Sequence, residues 1–467
     1  MRSTSRIHRS GRKRGRELAV LVSMVAMIST LMVAAPGFAE VDDDDDGYVQ
    51  WETASVTDAA TVNLSARTAF WTTNQVVHAD AFWRSDYTGR GIDIALVDTG
   101  VVPVNGLLTK GKVINGPDLS FESQADNLQY LDTFGHGTHL AGIAAGRSNG
   151  LVYDNGEFET DSDGIAFLGV APDAGIVNLK VGDAQGAVDV TQVIAAIDWA
   201  IQHRTDNGMD IRVLLLAYGT DSSQAYEIDP LAYMVQKAWD AGIVVVVAAG
   251  NDGSGTALRN PAINPYVIAV GAADPHGTAD VSDDTILDFS NCGTKARYVD
   301  LVAPGKSIVS LRNPGSRIDV ENPDAVVKET LFLGSGTSQA AAVVAGGAAL
   351  VLDRWPDLTP DQVKLHLMET ASRIPNAATT CQGMGMMNLH TALKYSPPGA
   401  EKAAYAQSYS EPLGTGSLES SRGTNHVTDE GVTLQGEIDI MGNKWTGYCN
   451  KTEKGLVCDS TLWNGGD

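Results

Sequence analysis

The sequence predicts an α/β protein with a doubly wound, mainly parallel sheet and a small C-terminal β appendage. First, five short runs are nearly continuous in apolar character, as strands covered on both faces are: IDIALV, GIVNLKV, RVLLLA, IVVVVAA and YVIAVG. Second, helical segments separate these runs, and strand–helix alternation is typical of a parallel sheet. Third, residues 398–467 lose this alternation and are rich in Ser, Gly and Thr.

The predicted helices between the runs have recognisable boundaries. Branched apolar residues recur at helical spacing from Val190 to Ile201, which predicts an amphipathic helix. Asp229-Pro230 predicts the start of a second helix, with a cap residue followed by proline at the first helical position, and Gly242 marks its end. Thr359-Pro360 repeats the same start signal further along the chain.

Length and charge limit the classes of function. The chain has 467 residues, 43% of them hydrophobic, so it can bury a full core and has room for two or three domains. Its formal net charge is −24. Such an acidic balance repels nucleic acid and anionic membranes. We therefore predict no nucleic-acid partner, and no stable membrane association unless an N-terminal anchor is retained.

Residues 1–39 have the features of a secretory signal. The basic segment RSTSRIHRSGRKRGR precedes an apolar stretch from Leu18 to Ala35, and the small residues of the following PGFA suit a cleavage site. The apolar stretch is long for a cleaved signal, so an uncleaved membrane anchor is the alternative. Both interpretations place the rest of the chain outside the cytoplasm, because the basic cluster stays inside. We predict a secreted protein.

Residues 40–70 are predicted to be an acidic, flexible leader without clear periodicity. The run DDDDDG, from Asp42 to Gly47, resembles the beginning of a calcium loop. An EF-hand requires glutamate at the twelfth position, which is Thr53 here. A solvated acidic run is therefore the preferred interpretation.

Residues 398–467 are predicted to be a linker followed by the β appendage. The segment VTLQGEIDI alternates as a strand does, and NKWTG and TLWNG form a weak internal repeat. The four cysteines fit an oxidising compartment. Their spacing favours a Cys449–Cys458 disulfide that staples the appendage, which leaves Cys292–Cys381 as the second pair. Four cysteines allow three connectivities, and free buried thiols are the alternative.

Asp98 ends one apolar run and begins Asp-Thr-Gly, the turn with which aspartic proteases present a catalytic carboxylate. Those enzymes need two carboxylates that share a proton. The chain contains no second Asp-Thr-Gly and no Asp-Ser-Gly. Asp98 is therefore either an ordinary strand-end residue or part of different chemistry. Its place favours chemistry, since the active site of a doubly wound sheet lies outside the carboxyl ends of the strands.

Two later segments supply partners for Asp98. The stretch DTFGHGTHLAGIAAG contains His136 and His139, and GSGTSQAAAVVAGG contains Ser338 where an apolar helix begins. Aspartate, histidine and serine in this order, on a parallel α/β sheet, match one of the convergent serine triads. Serine alone is a weak nucleophile, so an imidazole must remove its proton and a carboxylate must fix the tautomer of the imidazole.

With these segments in place, the chain resembles the subtilisin-like serine peptidases from about Trp71 to Tyr395. The likeness rests on motifs that occur in order and at compatible spacing: TGRGIDIALVDTGV, GHGTHLAG, GVAPDA, VVVAAGNDG, NPAINPYVIAVGA, LVAPG and GTSQAAAVVAG. The resemblance implies a subtilisin-like peptidase domain over residues 71–397. It also implies a serine endopeptidase that cleaves proteins or peptides through an acyl-enzyme intermediate and needs no cofactor for catalysis. The predicted signal implies that this endopeptidase is exported.

Carried over residue by residue, the resemblance implies that Asp98 orients His136, that His136 is the general base and that Ser338 is the nucleophile. Asn251 would be the oxyanion-hole amide, assisted by the Ser338 backbone N–H. Each residue has a structural alternative when taken alone: a strand-end cap, a core histidine, a loop serine or a left-handed turn. His139 is predicted to be a core histidine, and no metal ligand is predicted at the site. A catalytically silent secreted binding or adhesion protein on the same fold is the alternative function.

Two departures from the family pattern affect the expectations. Gln339, Ala342 and Val343 replace the usual Met, Pro and His, so local packing must differ. Ala217-Tyr218-Gly219-Thr220 replaces Ser-Leu-Gly-Gly on a substrate-pairing strand, where backbone pairing survives but the side-chain subsites change. The insertion Arg147–Gly164 stands where many relatives build a calcium loop. Its acidic and amide oxygens make structural calcium possible, and a solvated loop is the alternative.

Overall fold

The computed structural model describes residues 69–148, 152–154, 157–159, 167–398, 407–429, 432–433, 449–452 and 455–458. The predicted signal, and all but the last two residues of the predicted leader, lie outside this part of the chain. Both therefore stay predictions.

The structure contains the following strands, numbered in chain order: β1 (Asp93–Asp98), β2 (Val113–Asp118), β3 (Val152–Asp154), β4 (Glu157–Glu159), β5 (Gly175–Lys180), β6 (Ile211–Leu216), β7 (Val244–Ala248), β8 (Ile268–Asp274), β9 (Thr285–Ile286), β10 (Leu301–Pro304), β11 (Ile308–Leu311), β12 (Val326–Lys328), β13 (Leu331–Gly334), β14 (Thr428–Asp429), β15 (Val432–Thr433), β16 (Cys449–Thr452) and β17 (Gly455–Cys458).

Its α-helices are the following: α1 (Ala69–Val76), α2 (Ala79–Trp83), α3 (His136–Ala145), α4 (Val190–Gln202), α5 (Pro230–Asp240), α6 (Arg317–Glu321), α7 (Thr337–Arg354), α8 (Pro360–Glu369), α9 (Thr379–Gln382), α10 (Leu389–Lys394) and α11 (Leu418–Arg422). Two short 3₁₀ turns, Asp206–Gly208 and Pro323–Ala325, complete the helical segments among the described residues.

The main sheet is parallel, in the order β10-β8-β7-β6-β1-β5-β2, and the short β9 pairs antiparallel with β8. All five predicted strands are present, as β1, β5, β6, β7 and β8. Every residue of β7 and β8 is buried, as expected of strands covered by helices on both faces. The predicted fold class, an α/β protein with a doubly wound and mainly parallel sheet, is confirmed.

The three predicted helices are present, and each begins with a capping interaction. Asp229 accepts hydrogen bonds from the backbone N–H groups of the first turn of α5, and Pro230 is the first helical residue. Thr359 forms a reciprocal capping box at the start of α8. Asp189 forms a second capping box at the start of α4, which the apolar spacing did not reveal.

Helix α7 is the central helix of the domain. It packs against β6, β7, β8 and helix α3, and every residue from Thr337 to Leu352 is buried. The apolar helix that was predicted to begin at Ser338 is therefore a buried helix. Among the described residues, no helix combines the length and the apolar character that crossing a membrane would require.

Residues 407–427, which the sequence places in a linker, pack against the predicted peptidase domain. Gln407 donates its side-chain amide to Asp361 and to the Tyr266 carbonyl. Ser421 of α11 is fully buried. The C-terminal segment therefore contributes to the domain in a way that its polar composition did not indicate.

The cysteines are arranged consistently with the predicted pairing. Cys292 and Cys381 form a disulfide across 89 residues of sequence. Strands β16 and β17 pair antiparallel, with Cys449 directly opposite Cys458 in the backbone register. The side chains of this second pair lie outside the described residues, so the Cys449–Cys458 disulfide stays a prediction.

Candidate active site

The four predicted site residues line one cleft at the carboxyl edge of the sheet. Asp98 is the last residue of β1 and His136 is the first residue of α3. Ser338 is the second residue of α7, and Asn251 follows β7. The parallel topology therefore assembles residues from four distant segments at the place where the sequence analysis expected a site.

The Asp98 carboxylate holds the imidazole of His136. Both carboxylate oxygens contact Nδ1 of His136, at 2.8 and 2.9 Å. Both residues are buried. A buried carboxylate at this distance fixes the ring orientation and favours the tautomer with a proton on Nδ1, which leaves Nε2 able to accept a proton.

Burial and charge act in opposite directions on the pKa of His136. Burial of the ring is the largest effect and lowers the pKa, because a buried imidazolium loses its hydration. The charge and hydrogen bond of Asp98, together with the charge of Asp132, outweigh burial, and the net result is a pKa above the ordinary value of 6.5. His136 is therefore suited to take up a proton during a reaction and to be stabilised while it carries the charge.

Thr99 and Asp132 fix the positions of Asp98 and His136 relative to each other. Neither residue was assigned a role from the sequence. Thr99 donates its backbone N–H to Asp98 at 2.8 Å and its hydroxyl to Asp132 at 2.8 Å. Asp132 also accepts from the backbone N–H groups of Gly135 and Thr138, so it caps α3 at the helix end that carries His136. An acidic residue shortly before a helix start is a capping signal that could have identified Asp132.

Gly137 allows the close approach of α3 to the Asp98 turn. A Cβ atom at this position would collide with the Gly100 carbonyl oxygen and would lie 3.2 Å from the Asp98 carboxylate. The Gly137 backbone N–H donates to the Thr99 hydroxyl at 3.0 Å. The glycine after His136 is therefore required by packing at the site.

Lys180 is a fully buried cation beneath the Asp98 turn. Its Nζ donates to the Thr99 carbonyl at 3.1 Å, to the Glu122 carboxylate at 2.8 Å and to the Leu131 carbonyl at 2.5 Å. Three separate segments are thus joined under one ammonium group. A lysine inside the apolar run GIVNLKV is unusual for a buried strand, and that was the available signal.

Thr337 orients the side chain of Asn251. The Asn251 Oδ1 accepts from the Thr337 backbone N–H at 2.9 Å and from the Thr337 hydroxyl at 3.0 Å. Fixing the acceptor side of the amide also fixes the direction of its NH₂ group. Because Thr337 begins α7 and Ser338 follows it, these two hydrogen bonds fix the position of Asn251 relative to the helix that carries the serine.

Asn291 supports the turn that carries Asn251. Its backbone N–H donates to the Gly250 carbonyl at 3.0 Å, and its side chain bonds the backbone N–H and the carboxylate of Asp252. The next residue is Cys292, which is tied to Cys381. The disulfide, which was predicted from the sequence as the second pair, therefore anchors the segment behind Asn251, whereas the bonds of Asn291 were not predicted.

Ser338 and Gln339 begin α7 side by side and are both buried, Ser338 with 2% exposure and Gln339 with none. Ser338 lies in the first turn, where backbone N–H groups and the helix dipole favour negative charge. Neither polar atom of the Gln339 amide has a hydrogen-bond partner among the described residues. The glutamine that replaces the family's methionine is therefore accommodated at an energetic cost.

His139 is a core histidine, as predicted. It is buried, and its Nε2 contacts the Phe332 carbonyl at 3.2 Å. Burial lowers the pKa of His139 to about 3. It is neutral at physiological pH and does not line the cleft that holds His136.

Two walls bound the cleft. One contains Val181 and Gly182, which follow β5, and the other contains residues 217–219, which follow β6. Arg259 lies within the cleft and pairs with Asp252 through two nitrogens. Asn425 of the C-terminal segment also lines the cleft.

No group of three or more His, Cys, Asp or Glu side chains suited to a metal ion occurs in the described part of the chain. The donors of the predicted calcium loop belong to the insertion Arg147–Gly164. Of its middle section, only the backbone of the short hairpin β3–β4 is described. Calcium binding there stays a prediction.

Comparison with known proteins identifies the family. A profile of the subtilase family matches residues 89–391. The chain belongs to the subtilase family. It is 34% identical to serine protease AprX of Bacillus subtilis, over 71% of this chain and 73% of the relative. It is 32% identical to subtilisin E of Bacillus subtilis, over 68% of this chain and 69% of the relative.

The minor extracellular protease Epr of Bacillus subtilis is 29% identical over 65% of this chain and 39% of the relative. As a member of the subtilase family, the protein is a serine-type endopeptidase that acts on proteins or peptides. This identification removes the aspartic-protease interpretation of Asp98.

Proposed function

We propose that this subtilase is an exported endopeptidase in which Asp98, His136 and Ser338 form the catalytic triad and Asn251 donates to the oxyanion. The observation that carries the proposal is the contact of both Asp98 oxygens with His136 Nδ1, in the cleft that also contains Ser338. Carboxylate, imidazole and hydroxyl then stand in the roles that nucleophilic catalysis requires.

In the proposed reaction, Ser338 Oγ attacks the carbonyl carbon of the scissile peptide bond while His136 Nε2 takes the hydroxyl proton. The imidazolium then gives this proton to the leaving amine, and an acyl-enzyme remains on Ser338. A water molecule attacks the acyl group, His136 takes its proton, and that proton returns to Ser338 as the ester bond breaks. Asp98 stabilises the imidazolium in both steps without taking the proton itself.

The oxyanion of each tetrahedral intermediate would be stabilised by Asn251 and by the N-terminal turn of α7. Thr337 fixes the Oδ1 side of the Asn251 amide, which supports a donor role for its NH₂ group. Donors that are already oriented need no reorganisation when the charge develops, and this accounts for their large effect on turnover.

The decisive test compares Ser338→Ala with Ser335→Ala. Ser335 lies three residues earlier in the same glycine-rich turn and bonds the Ser307 backbone N–H. Ser338→Ala should lower kcat on denatured casein by several powers of ten, and phenylmethylsulfonyl fluoride should no longer label the protein. Ser335→Ala should keep both activity and labelling. A Ser338→Ala variant that keeps the parent's kcat would refute the assignment of the nucleophile.

Export is supported by three observations. A basic segment precedes the apolar stretch from Leu18 to Ala35. The Cys292–Cys381 disulfide suits an oxidising compartment. One relative is named an extracellular protease. N-terminal sequencing of protein from the culture medium should find a start near residue 40. Full-length protein confined to the membrane fraction would instead support an uncleaved anchor, and protein in the cytoplasm would refute export.

A further inference from the structure

The C-terminal segment 417–427 is anchored at the entrance of the catalytic cleft. The hydroxyl of Ser421 donates to Asp229 at 3.0 Å, and the Ser421 carbonyl accepts from the Thr220 hydroxyl at 2.6 Å. Arg422 pairs with Asp189 at 2.6 Å. Asp189 and Asp229 are the cap residues of α4 and α5. The segment is therefore held by buried or half-buried groups on two helices beside the active site.

The anchored segment places Asn425 on the cleft wall. Gly423 has φ of 65°, and a Cβ atom there would collide with the Asp221 carboxylate, so the turn requires glycine. Beyond it, Thr424 donates its backbone N–H and its hydroxyl to Asp221, each at 2.6 Å. Asn425 then donates its side-chain amide to the Gly219 carbonyl at 3.2 Å, inside the cleft that contains Ser338.

The acceptor that Asn425 occupies belongs to a backbone edge suited to peptide binding. Residues 217–219 leave the sheet after β6 and run along the cleft. A peptide that lies extended in such a cleft gains affinity by adding main-chain hydrogen bonds to an exposed edge. The Asn425 amide already occupies one of the two acceptor positions of the Gly219 carbonyl oxygen. A substrate N–H that approaches this oxygen must therefore displace the amide or bind beside it, and both reduce the affinity of the substrate.

We propose that Asn425 is a specificity-determining residue. It weakens the binding of substrates that are long enough to pair with Gly219 and does not affect the binding of shorter substrates. This proposal rests on the proposed function, since it assumes that the cleft binds peptide for cleavage at Ser338. An amide that must be displaced from a carbonyl weakens substrate binding without altering the triad. The effect should therefore appear in KM for long substrates and not in kcat.

The test uses the full chain and two substrates with the same residue at the scissile bond. One is a single-residue anilide, and the other is an internally quenched octapeptide that extends on both sides of that bond. In Asn425→Ala, kcat/KM for the octapeptide should rise about three- to tenfold relative to kcat/KM for the anilide, as expected for loss of one competing hydrogen bond. Most of the change should lie in the octapeptide KM.

Asn322→Ala is the matched control, because Asn322 also donates its amide to a backbone carbonyl, that of Ile318 at 2.9 Å, and does not line the cleft. It should leave the ratio unchanged. Gly423→Ala should displace Asn425 from Gly219 and shift the ratio in the same direction as Asn425→Ala. An unchanged or lower ratio in Asn425→Ala, with an active parent, overturns the proposal. A parent that cleaves neither substrate overturns the proposed function itself.

Discussion

Replacing Asp98 with asparagine tests the electrostatic part of the proposed mechanism. The substitution keeps the size of the side chain and removes its charge. In the parent, the imidazolium formed during the reaction faces a carboxylate oxygen at 2.8 Å. At an effective dielectric constant of about 20, two unit charges at that distance attract by about 6 kcal/mol. About 1 kcal/mol of this remains if the amide oxygen still accepts a hydrogen bond. The expected loss in kcat is therefore about 10³–10⁴-fold.

The pH profile of the same variant supplies an independent measurement. In the proposed mechanism only neutral His136 removes the proton of Ser338, so activity should fall as pH drops through the pKa of the imidazole. Asp98, with a smaller contribution from the charge of Asp132, holds that pKa above 6.5 in the parent, against the effect of burial. In Asp98→Asn the effect of burial prevails, and the acidic limb of the kcat/KM profile should move to lower pH. Initial rates on a peptide anilide, measured from pH 5 to 10, give both quantities.

Asp132→Asn is the matched control for Asp98→Asn. Asp132 is a buried carboxylate beside the site, but it bonds Thr99 and the N-terminal turn of α3 rather than the ring of His136. Its substitution should lower the melting temperature and should reduce kcat much less than Asp98→Asn does. The acidic limb of this variant should move to lower pH only slightly, because Asp132 is the smallest of the charges and bonds that raise the pKa of His136. The reasoning is refuted if Asp98→Asn loses less than about tenfold in kcat, or if its acidic limb moves to higher pH.

Three further predictions concern stability and are best measured in a Ser338→Ala background, which prevents self-digestion. Because burial lowers the pKa of His139 to about 3, the folded protein cannot protonate it at mildly acidic pH, and folding stability should fall from pH 6.5 downward by up to about 5 kcal/mol. His139→Gln should weaken the pH dependence of the melting temperature over this range, and an unchanged pH dependence would contradict the assignment. Gln339→Met should raise the free energy of unfolding, measured with guanidinium, by about 1–3 kcal/mol, because it removes a buried amide that lacks hydrogen bonds. A lower free energy of unfolding would show that the amide has hydrogen-bond partners in solution. Replacing Cys292 and Cys381 with alanine should cost about 4–5 kcal/mol, since the disulfide closes a loop of 89 residues; an unaltered unfolding midpoint would disprove this.

The sequence predicted the sheet and the positions of the main site residues because both depend on local patterns. Parallel strands need apolar side chains on both faces, and the cap signals at Asp229 and Thr359 act within one helical turn. Asp98 and Ser338 could be placed because each lies where an apolar run begins or ends. The structure then brings these segments together at one edge of the sheet.

The supports of the site could not be predicted in the same way, since they depend on contacts between residues far apart in sequence. Lys180 meets Glu122 across 58 residues, and Asn251 meets Thr337 across 86. The contact of Asn425 with Gly219 spans 206 residues. The polar residues 407–427 carry no periodic pattern that would indicate their docking. Local composition therefore suggested a linker, whereas in the structure this segment is bonded to the domain and places Asn425 in the cleft.

The two sides of the site are held together by different kinds of chemistry. Beneath Asp98, the ammonium of Lys180 joins the carbonyls of Thr99 and Leu131, a link that no thiol reagent can alter. Behind Asn251, the corresponding support runs through the Cys292–Cys381 bond, which forms only where oxidants are available. We therefore expect the orientation of His136 to be independent of the redox environment, whereas the segment behind Asn251 should reach its full rigidity only after oxidation. The compartment in which the chain folds would then affect the Asn251 side of the cleft and not the His136 side.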